Sequence, residues 1–356
     1  MTVLDRIRVL VIDDSAFTRR TIKRMLEKSP LVEVAAWARD GEEALRKAFE
    51  LEIDLITLDL EMPRMDGFTF LRILMAKKPT PVIVISGNAN DQDVFKALDL
   101  GAVDFVAKPT AHATPELVSI EQELIRKVHA VRNLRIDRVA DRLGHPVVMA
   151  RKARVRAAHK VVAIGSSTGG PAALMQLFAA LPEPPKCAFI VSQHMPEGFT
   201  RGFAERIDRM THLRAREAEA GDLLEEGSVL VAPGGRHLEF ESRAGRIVAH
   251  IAEREEADKY APSVDRMFVS AAKHFGPDQL AIVLTGMGDD GREGVRAVKH
   301  AGGNVIVESE ETAVIFGMPQ QAIRAGAVDA VLPLGAIARV IQSGFAPDLA
   351  SRRSVA

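Results

Sequence analysis

The chain reads as an α/β protein of two doubly wound parallel-sheet domains, the first flavodoxin-like, the second Rossmann-like with an antiparallel edge, joined by a linker. Three observations predict this. Apolar runs of strand length alternate with amphipathic stretches of helical length in both halves, which is the pattern of βαβ units. A basic stretch without a regular apolar face separates the halves. Finally, five apolar runs stop on residues able to do chemistry, and open parallel sheets bind ligands outside the carboxyl ends of their strands.

In the first domain, placed at residues 5–125, the strands read RVLVI (8–12), VEVAAWA (32–38), LITLD (55–59), PVIVIS (81–86) and DFVAK (104–108). Between them lie the helical patterns AFTRRTIKRMLEK, GEEALRKAFEL, GFTFLRILMAK and NDQDVFKALDLG. A last helix near ELVSIEQELIRKVHAVRN closes the domain and runs toward the linker. Short turns between such elements imply a parallel sheet covered on both faces.

Residues 126–158 form the linker. The tract Arg151, Lys152, Arg154, Arg156 and Lys160 could dock an acidic partner, but a charge run is more often a solvated face, and the tether reading is preferred. The second domain, 159–347, offers the strands KVVAIG, CAFIVSQ, SVLVAP, LAIVLTG and NVIVES, with a hairpin-like HLEFESRAGRIVAHI in the middle. Its helices read PAALMQLFAALP, GFTRGFAERIDRM, PSVDRMFVSAAKHFG, GREGVRAVKHAG and FGMPQQAIRAG.

The totals narrow the function class. Of 356 residues, 47% are hydrophobic and 27% charged, and the net charge is −1. That balance gives no global electrostatic reason to expect nucleic acid or an anionic membrane as partner. The single cysteine, Cys187, suits a core position in a reducing compartment. No apolar run is long enough to span a bilayer, and MTVLDRIRVLVIDD lacks the pattern of a secretory leader. A cytoplasmic protein is expected.

Two strand ends of the first domain deliver carboxylates: Asp13 and Asp14 from RVLVIDDS, and Asp59 from DLITLDLEMP. Three carboxylates in one crevice repel each other unless a cation lies between them, and hard oxygens suit Mg²⁺. Ser86 and Lys108 end two further strands and add a hydroxyl and an ammonium. Such a set can accept a phosphoryl group, with Asp59 attacking phosphorus while Mg²⁺ and Lys108 neutralise the oxygens.

These residues resemble the receiver domain of two-component signalling. The resemblance implies that Asp59 is phosphorylated by a histidine kinase and that Asp13 and Asp14 are the metal-binding pair beside it. It makes Ser86 the switch hydroxyl and Lys108 the phosphate-sensing lysine. Phe105 takes the aromatic switch position and, having no hydroxyl, can signal only by burial or exposure of its ring.

In the second domain Ser167 ends VVAIGSSTGG, His194 ends AFIVSQHM and Asp290 lies in AIVLTGMGDDG. A glycine-rich strand-to-helix turn exposes a hydroxyl near helix N-terminal N–H groups. An imidazole can take its proton, and a carboxylate can orient that imidazole. The order Ser, His, Asp and the absence of GxSxG set the chain apart from the usual α/β-hydrolase elbow. Residue types alone do not choose between Ser166 and Ser167.

The stretches IGSSTGGP, SQHMPEGFT, APGGRHL, YAPSVDRMF and LTGMGDDG, in that order, resemble the catalytic domain of the chemotaxis protein-glutamate methylesterases, the CheB family. By that resemblance Ser167 is the nucleophile, His194 the general base and acid, and Asp290 its orienting carboxylate. Thr168 lies beside the nucleophile, and the Met287 N–H contributes to the oxyanion hole. Asp289 receives no role; Arg236, His237 and Tyr260 are structural or line the substrate channel.

The resemblance implies demethylation of glutamate methyl esters on methyl-accepting chemoreceptors, with deamidation of glutamines as a second activity. It implies no cofactor for hydrolysis and Mg²⁺ for the receiver only. Monomer is the family default, and a chemotaxis histidine kinase is the phosphodonor. An unphosphorylated receiver is expected to block the hydrolase. A phospho-gated hydrolase of a small ester or amide outside chemotaxis is the rival reading. A DNA-binding response regulator is disfavoured, because a large α/β domain stands where its DNA-binding effector would be.

Overall fold

The structure, a computed structural model, describes residues 6–87, 91–108, 115–134 and 156–345. The chain divides into two compact units, Met1–Leu143 and Gly144–Ala356. Of the basic tract, Arg151, Lys152 and Arg154 lie outside the described residues, as does most of the linker and the expected end at 347.

In the first unit, β1 (Ile7–Ile12), β2 (Val32–Ala38), β3 (Leu55–Leu58), β4 (Val82–Ser86) and β5 (Asp104–Ala107) form one sheet in the order β2-β1-β3-β4-β5. All its pairings are parallel. The central strands β1 and β3 are almost wholly buried, which accounts for their predominantly apolar sequence. Edge strand β2 is half-exposed.

Helices α1 (Ala16–Leu26), α2 (Gly41–Glu50), α3 (Gly67–Lys77), α4 (Asp91–Asp99) and α5 (Pro115–Ala130) connect or follow the strands. Ser15, Asp40 and Asp66 cap α1 to α3 by accepting from Thr18, Glu43 and Thr69 N–H, so each helix starts where its sequence supplies a short polar acceptor. In α1 the buried residues Thr18, Thr21, Ile22, Met25 and Leu26 follow helical spacing. The first residues assigned to the linker, from 126 onward, belong to α5, because Leu124, Val128 and Ala130 bury one face of it.

The second unit holds a seven-stranded sheet ordered β14-β13-β12-β6-β7-β9-β8. The strands are β6 (Val161–Ser166), β7 (Ala188–Gln193), β8 (Arg214–Glu217), β9 (Ser228–Val231), β12 (Gln279–Val283), β13 (Asn304–Glu308) and β14 (Ala330–Leu332). Every pairing in this sheet is parallel. The antiparallel pair, β10 (Arg236–Arg243) and β11 (Arg246–Glu253), forms a two-stranded ribbon of its own instead of extending the sheet edge. Its inner residues Leu238, Phe240 and Ala249 are buried in the core of the unit.

The helices of this unit are α6 (Gly170–Ala179), α7 (Phe199–Met210), α8 (Val264–Phe275), α9 (Arg292–His300), α10 (Gly317–Arg324) and α11 (Leu334–Gln342). The chain enters the sheet at β6, builds outward through β7, then returns to the other side of β6 with β12. A topological switch therefore lies between β6 and β12, as it does between β1 and β3 in the first unit. Crevices at the carboxyl ends of these strand pairs are where such sheets bind ligands.

Candidate active site and acidic pocket

The acidic pocket opens at the first switch. Asp13 follows β1 and Asp59 follows β3; both are buried, while Asp14 is exposed. One carboxylate oxygen from each of Asp13, Asp14 and Asp59 lies within 4.8 Å of the others. Lys108, after β5, reaches in with Nζ 2.7 Å from Asp59 Oδ2 and 3.2 Å from Asp13 Oδ2. Asp59 Oδ1 accepts from Glu61 N–H and Asp13 Oδ1 from Ser15 N–H.

Burial pushes the Asp59 carboxyl above the usual aspartate range against the pull of Lys108. Burial, and then the charge of Asp59, does the same to Asp13. Burial pulls the Lys108 ammonium down, but its hydrogen bond and charge pairing with Asp59 and Asp13 outweigh this and hold it above the ordinary value. One ammonium does not satisfy three carboxylates. Asp13 Oδ2 is buried without an aligned hydrogen-bond donor, and such an oxygen, grouped with two more, fits a hard divalent cation.

Ser86 closes β4 half-buried, and its carbonyl accepts from Lys108 N–H at 2.6 Å. Phe105 lies in β5 with its ring buried. Lys127 from α5 places Nζ 5.3 Å from that ring, 2.5 Å from the Phe105 carbonyl and 2.8 Å from Asp104 Oδ1. Burial pulls this ammonium down, but Asp104 and Glu123 outweigh it and keep it charged.

The second switch carries the other site. Ser166 and Gln193 are the last paired residues of β6 and β7, so Ser167 and His194 leave adjacent strands one step beyond the same register position. Gly169, at positive φ, starts α6 just after Ser167, and Gly170 N–H donates to the Ser167 carbonyl at 2.7 Å. The turn after β12 packs directly against the serine: a Cβ on Gly286 would stand 2.8 Å from Ser167 Cβ. Ser167 N–H donates to the Thr285 carbonyl at 3.1 Å.

The two adjacent serines differ in what holds them. Ser166 Oγ is buried and donates to Gln193 Oε1 at 2.6 Å, while Gln193 Nε2 donates to the carbonyls of Ser167 and His194. Among the described hydrogen bonds none engages the Ser167 hydroxyl, nor the N–H of Thr168 or Met287.

His194 Nε2 lies 2.8 Å from Asp290 Oδ2, and His194 Nδ1 is buried without a hydrogen-bond partner. Asp290 further accepts from Val264 N–H at 2.7 Å, Asp265 N–H at 2.9 Å and Ser263 Oγ at 3.1 Å. These donors are the N-terminus of α8, whose dipole favours an anion. Burial works against ionisation of Asp290, but hydrogen bonding from His194, its charge and the helix N–H groups prevail and lower its pKa. An ionised carboxylate only accepts, so Nε2 carries the ring hydrogen and Nδ1 has the free lone pair.

Sequence reasoning did not single out four residues that build this site: Gln193, Ser263, Asp265 and Thr285. Gln193 adjoins His194 in SQH and Ser263 and Asp265 lie in the YAPSVDRMF stretch, but a polar residue next to a candidate one leaves no signature of burial. Tyr260 stacks on His194, while Arg236 pairs with Glu253 at the exposed edge of the ribbon.

Comparison with known proteins bears on both sites. A family model described as CheB methylesterase matches residues 162–341, and one described as response regulator receiver domain matches 9–119. The protein-glutamate methylesterase/protein-glutamine glutaminase 3 of Geobacter sulfurreducens is 49% identical over 358 residues, covering 94% of this chain and 96% of the relative. Its counterpart 1 from Myxococcus xanthus is also 49% identical, over 332 residues, covering 93% and 95%. The solved CheB methylesterase catalytic domain of Thermotoga maritima is 39% identical, with a TM-score of 0.49, and covers 52% of this chain and 97% of that one. With both family models matched in order and near-complete coverage by such relatives, the chain belongs to the CheB methylesterase family, its methylesterase domain preceded by a response regulator receiver domain.

Proposed function

We propose that this protein hydrolyses glutamate methyl esters, and deamidates glutamines, on chemoreceptors, and that phosphorylation of Asp59 raises the rate. The observation that carries the hydrolytic reading is the His194–Asp290 pair, which leaves His194 Nδ1 unpaired on the strand next to Ser167.

Ser167 Oγ attacks the ester carbonyl and its proton passes to His194 Nδ1. Asp290, already ionised, stabilises the imidazolium through Nε2. The oxyanion is received by the unengaged N–H groups of Thr168 and Met287 at the start of α6 and the β12–α9 turn. Collapse breaks the bond to the methoxy group, and His194 returns the proton so that methanol leaves. A water molecule then gives a proton to His194 as its oxygen attacks the acyl carbonyl. The bond to Ser167 Oγ breaks, His194 returns the proton to that oxygen, and the glutamate side chain leaves as the acid, which ionises. A glutamine follows the same path with ammonia as leaving group. Ser166 stays out of the chemistry because its hydroxyl is committed to Gln193.

In the receiver, Asp59 is the phosphoacceptor and Lys108 neutralises the incoming phosphoryl oxygens. Asp13, Asp14 and Asp59 would hold Mg²⁺, which supplies the remaining charge neutralisation for phosphoryl transfer. A histidine kinase of the chemotaxis pathway is the donor in this reading. A phosphoryl group that reorients Lys108 and Ser86 also disturbs the β5 end beside Phe105, where a few kcal/mol suffice to shift a two-state equilibrium manyfold.

The test is methanol release from methylated receptor membranes with and without acetyl phosphate and Mg²⁺. Activity should rise with both together and vanish in Ser167→Ala. Faster turnover of a free small ester than of methylated receptor would overturn the substrate assignment, and full activity in Ser167→Ala would overturn the mechanism.

A further inference from the structure

Tyr260 lies in the segment between β11 and α8, and its ring stacks on His194 with centroids 4.5 Å apart and planes 8° from parallel. The segment carrying it is fixed by a separate buried histidine. His237 is fully buried; its Nδ1 accepts from Ser263 N–H at 3.2 Å, so Nε2 bears the hydrogen and donates to Asp258 Oδ2 at 2.8 Å. Asp258 also accepts from Glu255 N–H and Arg266 Nη1. Two residues beyond Asp258, Tyr260 is held over the His194 ring, and it lines a pocket of about 260 Å³ together with Asp290.

We infer that Tyr260 is a positioning residue for the hydrolysis, whose ring face fixes the plane of His194 and stabilises the imidazolium form. An aromatic ring presents its negative face to a cation above it. A neutral imidazole gains little from that face, whereas the imidazolium formed during acyl transfer gains more. The benefit is therefore realised in the transition state and raises kcat without tightening substrate binding. The hydroxyl is directed elsewhere: it lies 3.5 Å from Asp289 Oδ1, which also takes Lys259 Nζ at 2.6 Å. The ring face, not the phenol, is the working part.

The inference rests on the Ser167–His194–Asp290 reading, and the experiment separates the two. Methanol release from methylated receptor is measured with the full chain, acetyl phosphate and Mg²⁺, for Tyr260→Leu, Tyr260→Phe and Ser167→Ala. Leu keeps an apolar side chain beside the imidazole, smaller than the phenol and without an aromatic face, so kcat should fall about fivefold with KM changed less than about twofold. Phe should restore kcat to within about twofold of the parent. A parental kcat in Tyr260→Leu, a loss confined to KM, or equal damage in Tyr260→Phe would each overturn the role of the ring. Should Tyr260→Leu fail to fold, Tyr260→Met is judged by the same criteria. Persistent activity in Ser167→Ala would instead overturn the underlying mechanism.

Discussion

Asp290 receives His194 through Nε2, at 2.8 Å, and the same carboxylate is clamped by the first N–H groups of α8. The orientation is fixed from both ends. Nε2 is the nitrogen that carries the hydrogen, and the basic lone pair is on Nδ1, the reverse of the arrangement in the familiar serine protease template, where the carboxylate meets Nδ1. The helix terminus holds the charge on Asp290, and that charge holds the tautomer.

Asp290→Asn should therefore fail twice. Each oxygen of Asp290 accepts from a backbone N–H: Oδ2 from Val264, Oδ1 from Asp265. An amide NH₂ in either orientation meets a donor, which costs about 1–3 kcal/mol. It also removes the anion that selects the Nε2–H tautomer. kcat should drop by roughly three to four orders of magnitude, with a lowered unfolding temperature. A variant that keeps more than about a tenth of the parental rate would contradict the assignment of Asp290.

Ser166 and Ser167 make opposite predictions although they adjoin. Ser166→Ala deletes a buried hydrogen bond to Gln193 and leaves Gln193 Oε1 without its donor, so stability should fall by about 1–2 kcal/mol. Gln193 Nε2 still holds the carbonyls of Ser167 and His194, and methanol release should persist at a reduced rate. Ser167→Ala should abolish release and leave stability nearly unchanged. Denaturant unfolding and activity on the same preparations separate the pair; swapped phenotypes would assign the nucleophile to Ser166.

The central strands of both sheets are visible in the chain, but the strand order of the second unit and the strands at its edges are not. Central strands such as VLVI and VVAIG are unbroken apolar runs because both faces are covered, and they stand out in sequence. Edge strand β8 reads RARE and is barely buried; β14 has three residues. Charged residues at an edge hinder further strand pairing and also erase the pattern by which a strand is recognised. Ser167, His194 and Asp290 were legible as candidates because each follows a central strand. Gln193 and Asp265 were not, since their importance lies in which donors and acceptors the fold brings to them, and no spacing encodes that.

The acidic pocket predicts a metal response confined to the first unit. Asp13 Oδ2 is buried with no aligned donor, and Lys108 is shared between two carboxylates. A divalent cation that binds the folded pocket and not the unfolded chain stabilises by mass action. Millimolar Mg²⁺ against EDTA should raise the unfolding midpoint of this unit by several degrees, roughly the effect of 1–2 kcal/mol in a domain of this size. Asp13→Asn should abolish the response. A parental response in that variant would remove Asp13 from the ligand set.

Asp265 predicts the pH dependence of stability in the second unit. Its side chain joins the start of α8 to the start of α9 by accepting from Gly294 N–H at 2.6 Å. Burial, and then the charge of Asp290, pushes its carboxyl up from 3.8 to about 7. Between those values the folded chain retains a proton that the unfolded chain has released, so stability declines as pH rises across that window and levels off above it. The loss is on the order of 2 kcal/mol once partial solvent exposure is allowed for. Asn keeps an oxygen for Gly294 N–H and cannot ionise beside Asp290. Asp265→Asn should therefore match the parent in stability near pH 4 and exceed it at pH 8, as read by urea unfolding at both. Asp290, whose carboxyl is lowered, works with the opposite sign: its contribution is present above the ordinary aspartate range and is lost on acidification. Because both chains carry Asp290, that loss largely cancels in the difference between them. A variant no more stable than the parent at pH 8 would show that Asp265 is ionised in the folded protein without penalty.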